Sequence, residues 1–78
     1  MTLYKALRLL LEDNGVPAIR RHSIPERQFV VYRVNYAGVP IEPTVCIEEN
    51  DDTYPAIITE SDILATDWEV VYGDNGIQ

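Results

Sequence analysis

Three side chains near the end of the chain could together bind a nucleotide-like ligand. Asp62, Asp67 and Trp68 lie within seven consecutive residues. A carboxylate can accept hydrogen bonds from the paired hydroxyls of a ribose, and an indole ring can stack on a purine face for about 1–3 kcal/mol. The same residues also have a structural interpretation, in which Asp62 caps a helix, Asp67 holds the following turn and Trp68 fills the core. The sequence leaves both interpretations open.

Two adjacent arginines are the candidate ligands for a phosphate group. Arg20 and Arg21 lie in a segment predicted to be a strand, so their side chains point to opposite faces and at most one easily enters a given pocket. A guanidinium there could hold a phosphate or pyrophosphate through two parallel hydrogen bonds. The alternative is a surface ion pair with Glu48 or Glu69. Arg33 is a further candidate, at the polar end of a later strand.

The remaining candidates are aromatic or acidic. Tyr32, Tyr36 and Tyr54 could stack on a base, although strand tyrosines more often pack in the core with the hydroxyl in water. His22 has no second histidine and no neighbouring nucleophile, and is predicted to lie in a turn. The acidic run 48–52 lacks the register of a calcium loop and indicates a solvated hairpin. Because no catalytic order, phosphate-binding glycine loop or spaced metal ligands occur, we expect neither catalysis nor a metal or cofactor.

A short helix and the strand after it place the first group of side chains. Thr59 precedes Asp62 by three residues, the spacing of a capping box, in which a hydroxyl and a carboxylate satisfy the free amides of a helix N-terminus. Residues 63–65 supply one apolar turn. From Asp67 the hydrophobic period changes to two, so Trp68 is predicted to begin the last strand.

The closing segment of the chain, together with its opening helix and arginine-containing strand, resembles the small phage-encoded Thoeris anti-defence 2 family. Its members close with an Asp-Leu-Leu-Ala-x-Asp-Trp segment, similar to Asp-Ile-Leu-Ala-x-Asp-Trp-Glu-Val-Val at 62–71. Members open with a helix, which Ala6-Leu7 and Leu10-Leu11 match in this chain. A polar break follows, matched by Asn14-Gly15, and then an arginine-containing strand, matched by Arg20-Arg21. The family commonly places a tryptophan after the arginine strand, where this chain reads His22-Ser23-Ile24-Pro25.

The resemblance implies a phage counter-defence protein that binds a nucleotide-derived immune signal and holds it intact. The expected ligand is a cyclic nucleotide-type messenger, either a cyclic ADP-ribose isomer or a cyclic dinucleotide. The expected pocket lies where subunits meet, in a homo-oligomer that is a dimer or a tetramer. The residues expected to bind the ligand are Arg20, Arg21, His22, Tyr54, Asp62, Asp67 and Trp68. His22 stands near the place of the family's tryptophan, and Tyr54 where members often carry an aromatic.

Chain length and cysteine content limit how such a protein can be stabilised. Seventy-eight residues predict one domain, 1–78, with 73–78 as a frayed tail. A chain this short buries only about 60–65% of its unfolded surface. With one cysteine and one histidine, an internal disulfide and the usual zinc site are excluded, which leaves association with another chain. No signal peptide or apolar run of about 20 residues occurs, so the sequence predicts a cytoplasmic protein of the bacterial host cell, without a membrane partner.

Charge divides the chain into two halves. Residues 1–41 hold all six Lys and Arg residues and three acids, whereas 42–78 hold ten acids and no Lys or Arg. The distribution fits ordinary pairing within a sheet, or a small basic pocket with an acidic exterior. Direct nucleic-acid binding is disfavoured, because the long-range field repels phosphate. The alternative function is therefore an acidic, anti-CRISPR-type charge mimic that binds a nucleic-acid-binding defence complex. A structural oligomer without a ligand is a third hypothesis.

The hydrophobic pattern predicts an α+β fold. A helix from Leu3 to about Glu12, capped by Thr2, should pack on an antiparallel sheet of about five strands, with a short helix before the last strand. Its apolar face is predicted to comprise Leu3, Leu7, Leu10 and Leu11. Strands are predicted at 18–22, 28–36, 44–48 and 54–58 and after Asp67, with turns at 23–26 and 50–53. The other sheet face, expected to carry Tyr, Val and Trp side chains, would be free to bury against a second copy.

Overall fold

The computed structural model describes residues 1–13, 15–32, 35–40 and 42–72. Predictions that concern Asn14, Arg33 and the tail 73–78 lie outside these residues. Within them, the elements in chain order are α1 (Leu3–Glu12), β1 (Ala18–Arg21), β2 (Ile24–Tyr32), β3 (Asn35–Tyr36), β4 (Val39–Pro40), β5 (Thr44–Glu49), β6 (Asp52–Pro55), α2 (Glu60–Leu64) and β7 (Trp68–Val71).

Five of these strands form one antiparallel sheet in the order β6-β5-β2-β1-β7. Helix α1 packs on one face, in contact with β1, β2 and β7, and α2 precedes the last strand. This confirms the predicted α+β fold. A separate two-stranded hairpin, β3-β4, turns through Ala37 and Gly38, whose φ angles are 51° and 82°.

Helix α1 begins and ends where the sequence predicts, since the Thr2 hydroxyl accepts the Lys5 N–H at 3.3 Å. Its buried residues are Leu3, Ala6 and Leu10, and Leu7 packs partly against the core. The prediction that Leu11 shares this face is wrong, because Leu11 is 40% exposed. At 3.6 residues per turn Leu11 lies about 80° around the helix from Leu3, at the margin of the apolar stripe.

Strand β2 begins at Ile24, which makes the predicted turn at 23–26 wrong. The chain turns at residues 22–23 instead. Arg20 pairs with Gln28 but Arg21 pairs with Ile24, so β2 bulges between these two partners. A bulge tolerates the proline at position 25, which has no N–H to donate to a regular ladder.

The core lies between α1 and the sheet, around the buried side chains of Ile19, Phe29, Ile47 and Trp68. Trp68 is 2% exposed. The expectation that the tryptophan lies on the uncovered face is therefore wrong. Alternation along β7 defines two faces of the strand but does not indicate which of them the helix covers.

Two-residue turns and outer strands complete the sheet. Asn50 and Asp51, with φ of 51° and 68°, form the predicted hairpin turn, so β6 starts at Asp52 rather than at the predicted residue 54. Strand β6 is an outer strand, as Pro55 predicted. At the other edge, the Trp68 N–H donates to the Met1 carbonyl at 3.1 Å.

Candidate functional site

Asp62 lies at the centre of a charged cluster on the helical side of the sheet. Its side chain is 1% exposed. A carboxylate oxygen accepts the Thr59 N–H at 3.0 Å while the Asp62 N–H donates to the Thr59 hydroxyl at 3.3 Å, which confirms the capping box. Guanidinium nitrogens of Arg21 and Arg27 lie 3.4 Å from the carboxylate. Burial raises the pKa of Asp62, but the Thr59 hydrogen bonds and the Arg27 charge outweigh it, so the pKa lies below its ordinary value.

Arg27 belongs to this cluster although the sequence analysis did not select it. It stands two residues before Phe29, so both side chains share one face of β2. Its guanidinium carbon lies 5.2 Å from the Phe29 ring centroid, and it also donates to the Ile57 carbonyl at 2.8 Å. Two features of the sequence could have identified Arg27. It alternates with Phe29 along the strand, and the capping acid Asp62 needs a nearby cation.

Asp67 holds the turn between β1 and β2. Its carboxylate accepts the Ser23 N–H at 3.0 Å and the Arg21 Nε–H at 3.2 Å, and its carbonyl accepts the His22 N–H at 2.9 Å. The hydrogen bonds from Ser23 and the Arg21 guanidinium lower the pKa of Asp67 to about 2. Asp67 therefore holds a turn, but it is the β1-β2 turn at residues 22–23 and not the predicted turn between α2 and β7.

Trp68 joins this cluster to the core. Its indole Nε1–H donates to the Asp62 carbonyl at 2.9 Å, and its ring meets Phe29 edge to face with centroids 5.2 Å apart. The structural interpretation of Asp62 and Trp68 is likewise confirmed. Stacking of a base on Trp68, or ribose binding by Asp62, stays a prediction that would require these buried groups to become accessible.

Tyr54 lies on the same side of the sheet as the cluster, because it pairs with the buried Ile47. Its hydroxyl donates to a Glu49 carboxylate oxygen at 2.8 Å. This hydrogen bond, with partial burial, raises the pKa of Tyr54. The fold therefore brings together five of the predicted residues on the helical side, namely Arg21, Tyr54, Asp62, Asp67 and Trp68.

Arg20 and His22 form a second group. The Arg20 Nε–H donates to Glu69 at 2.7 Å, and the other Glu69 carboxylate oxygen lies 3.1 Å from His22 Nδ1. Arg20 and then His22 lower the pKa of Glu69. The ion pair with Glu69 was one of the alternatives for the arginines, and the placement of Arg20 and Arg21 on opposite faces is confirmed.

The uncovered sheet face carries a shallow groove beside the second group. Its volume is about 290 Å³ and its lining comprises Pro17, Ala18, Gln28, Val30, Glu48, Val71 and Tyr72. Gln28 pairs with Arg20 on one side and with Glu48 on the other. The groove therefore combines aliphatic and aromatic side chains with an amide and a carboxylate, a mixture that suits a heterocyclic ring with hydrogen-bonding edges.

Among the described residues, no group of three or more His, Cys, Asp or Glu side chains could hold a metal ion. Neither α1 nor α2 is long and apolar enough to cross a membrane.

A comparison with family models gives one match, to the Tad2-like or Thoeris anti-defense 2-like domain, over residues 1–71. No curated protein and no solved structure matches the chain. The family match includes both helices and all five strands of the main sheet. The chain therefore belongs to the Tad2-like family, and this membership implies a counter-defence role against Thoeris.

Proposed function

We propose that this protein binds a cyclic nucleotide-type immune second messenger and sequesters it without cleaving it. The observation that carries the proposal is the Tad2-like match over residues 1–71. Membership suggests a non-catalytic anti-defence protein that binds a Thoeris signalling molecule and acts in the host cell. The ligand would be a cyclic ADP-ribose isomer or a cyclic dinucleotide, and the protein would be phage-encoded.

We place the phosphate anchor at Arg20 rather than at Arg21. The Arg21 side chain is 20% exposed and already contacts the carboxylates of Asp62 and Asp67. Arg20 is 32% exposed and contacts Glu69, and the largely exposed His22 lies on the same carboxylate. A guanidinium beside an imidazole can hold a phosphate oxygen from two directions.

In this proposal the residues on the helical side of the sheet position the site without contacting the ligand. Asp67 holds the main chain at His22 and Ser23, and Arg21 ties Asp67 to Asp62. The neighbouring groove would receive a base between its aliphatic side chains and the Gln28 amide. Direct ligand contacts by Tyr54, Asp62 or Trp68 would need a rearrangement of the packed side.

Affinity requires enclosure of this groove. To disarm signalling the protein must compete with an effector, so a dissociation constant of about 1 nM, or a binding free energy of about −12 kcal/mol, is expected. A small ligand reaches such affinity when it is largely buried in a preorganised site. We therefore propose that a second copy covers the uncovered sheet face, in a dimer or a tetramer.

Calorimetric titration of the purified protein with cyclic ADP-ribose isomers and cyclic dinucleotides tests the proposal. Bound ligand is then released by heat and checked for chemical integrity. Arg20→Gln should weaken binding at least tenfold, whereas Arg8→Gln serves as the matched control because Arg8 also pairs with a glutamate, Glu12, but on α1. Recovery of an altered ligand would make the protein an enzyme, and no binding across the panel would overturn sequestration.

An acidic protein-binding inhibitor remains the second candidate function, supported by the β5-β6 hairpin. Its acidic side chains cluster at one end of the sheet, at Glu48, Glu49, Asp51 and Asp52. A charge mimic should lose function when Glu49, Asp51 and Asp52 are neutralised and should tolerate Arg20→Gln, with Glu48 left unchanged because it lines the groove proposed for the ligand. A sequestering protein should show the reverse. Arg21 is left unchanged in this test because its loss would also disturb Asp62.

A further inference from the structure

Three polar side chains form a row across the strands on the uncovered sheet face. Arg20 on β1 pairs with Gln28 on β2, and Gln28 pairs with Glu48 on β5. Directly paired residues point to the same face of a sheet. Neighbouring strands lie about 4.8 Å apart, so the main chains at Arg20 and Glu48 are about 10 Å apart. A cation and a carboxylate therefore stand at the two ends of one row, with an amide between them.

The two carboxylates on this face, Glu48 and Glu69, differ in what they already bind. The oxygens of Glu69 contact Arg20 at 2.7 Å and His22 at 3.1 Å. One Glu48 oxygen accepts the Tyr32 hydroxyl at 3.1 Å, and within the described part of the chain no lysine or arginine pairs with Glu48. An ionised carboxylate has about four acceptor positions. Glu48 can therefore accept further hydrogen bonds, whereas both oxygens of Glu69 are engaged.

The Tyr32 hydroxyl holds the Glu48 carboxylate beside the groove. Tyr32 pairs with Thr44, which lies four residues before Glu48 on β5. Its side chain therefore reaches along the strand pair to donate to the carboxylate. Glu48 is exposed and lines the groove. A side chain that is already held in place loses less conformational freedom when a ligand binds, so this hydrogen bond preorganises the acceptor.

We propose that Glu48 accepts hydrogen bonds from the ribose hydroxyls of the ligand and that Tyr32 is its positioning residue. This inference rests on the proposed function and adds the sugar to the phosphate at Arg20 and the base in the groove. Carboxylates accept ribose hydroxyls in the same way in dinucleotide-binding folds. A ribose carries its phosphate, its base and its hydroxyls at different positions of one ring. One sugar can therefore present all three groups to this face at once.

Glu48 offers on the uncovered face what the sequence predicted for Asp62 or Asp67. The Asp62 side chain is 1% exposed, and the Asp67 carboxylate holds Ser23 and Arg21. A ligand could reach either of them only if packed groups moved, whereas Glu48 is accessible as it stands. Ribose binding at Glu48 therefore needs no rearrangement of the helical side.

The negative charge of Glu48 is compatible with a phosphate at Arg20. Their main-chain separation of about 10 Å exceeds the Debye length of about 8 Å at physiological ionic strength. Repulsion between the carboxylate and the phosphate is therefore largely screened. A hydroxyl that donates directly to the carboxylate gains a charge-assisted hydrogen bond, which is stronger than a hydrogen bond between neutral groups.

Calorimetric titration with ribose-modified probes tests the proposal. The probes are cyclic ADP-ribose and 3′,3′-cyclic di-AMP, each compared with analogues whose free hydroxyls are replaced by hydrogen on one ribose at a time. Glu48→Ala should weaken binding of a parent probe about tenfold, because a charge-assisted hydrogen bond is lost. The same substitution should have no effect on the analogue that lacks the contacted hydroxyls. Tyr32→Phe should follow this pattern with a several-fold loss.

Glu60→Ala is the matched control, because it removes the same charge from an exposed position on α2 and should leave the binding of every probe unchanged. Near-ultraviolet circular dichroism of the buried Trp68 verifies that each variant remains folded. Equal losses with parent probes and all analogues would overturn the proposal, since the carboxylate would then contact the base or shape the groove. Tighter binding by Glu48→Ala would also overturn it.

Failure of this inference can be distinguished from failure of the proposed function. If the unaltered protein binds a parent probe tightly and Glu48→Ala binds it equally well, sequestration stands and the ribose contact is wrong. If the unaltered protein binds neither parent probe nor any other member of the ligand panel, both are wrong.

Discussion

Asp62→Asn should lower the free energy of unfolding, because it removes the carboxylate that Arg21 and Arg27 contact. Among the described residues, Asp62 is the sole charged residue in the buried class. Asparagine keeps its shape and can still accept the Thr59 N–H, but Arg21 and Arg27 lose a carboxylate. Removal of one partner from a buried ion pair costs about 3–5 kcal/mol.

The structure reduces this figure. Arg21 retains Asp67, the Arg21 and Arg27 side chains are 20% and 18% exposed, and their nitrogens lie 3.4 Å from the carboxylate, which is long for a hydrogen bond. We therefore expect Asp62→Asn to lower the free energy of unfolding by about 2–3 kcal/mol. For a domain of this size that corresponds to a fall in Tm of about 10–20 °C.

Urea unfolding followed by Trp68 fluorescence measures the effect, because this single tryptophan is buried in the core. Glu60→Gln provides the matched control. It removes an exposed carboxylate from the same helix and should change the free energy by less than about 0.5 kcal/mol. The m-value should stay constant in both variants if unfolding remains two-state.

A destabilisation below about 0.5 kcal/mol for Asp62→Asn would refute the reasoning, since the cost of burying the carboxylate would then equal its gain from pairing. A double-mutant cycle with Arg27→Gln locates the contact. We expect a coupling of at least about 1 kcal/mol, within the range that contacting residues show. No coupling would mean that Arg27 contributes nothing to the effect, which would leave the Arg21 contact and a weakened Thr59 cap as its source.

Three further predictions concern other parts of the molecule. The pKa of Asp67 is about 2 in the folded protein and about 3.9 in an unfolded chain. Its contribution to stability is therefore complete above pH ~4 and is lost as the pH falls towards ~2. In acid unfolding experiments, the free energy of unfolding of Asp67→Asn should decline less steeply across that window than that of the original protein. Asp51 has a φ of 68°, so Asp51→Gly should raise Tm through a gain of up to about 1 kcal/mol. If Arg20 anchors a phosphate, Glu69→Gln should tighten ligand binding several-fold in calorimetry. The reason is that a carboxylate close to a bound anion repels it by about 1 kcal/mol in water. Weaker binding would count against Arg20 as the phosphate anchor.

Local signals in the sequence predicted the parts of the fold that depend on neighbouring residues. Thr59 and Asp62 identified the capping box, and Asn50 identified the hairpin turn, because each motif is satisfied within a few residues. The start of β2 was missed because its pairing depends on a bulge opposite Arg21, which only the partner strand reveals.

The candidate site was predictable in its residue types but not in its division between two faces. Alternation placed Arg20 and Arg21 on opposite sides, yet both faces of β2 carry apolar residues, so the covered face was undetermined. Arg27 was overlooked because its partner Asp62 lies 35 residues later in the chain. A contact of that sequence separation leaves no local pattern.

The outer strands of the sheet are protected against pairing with other molecules, and this affects how much of the protein can accumulate in a cell. On β7 the Trp68 N–H is taken by the Met1 carbonyl, and on β6 Pro55 has no N–H to offer and Asp52 carries a charge. Such features prevent strands of separate molecules from joining edge to edge into aggregates. If the protein sequesters its ligand as proposed, each copy neutralises a fixed number of ligand molecules, so its abundance must match that of the ligand. Resistance to aggregation would then set the highest dose of counter-defence that an infected cell can accumulate.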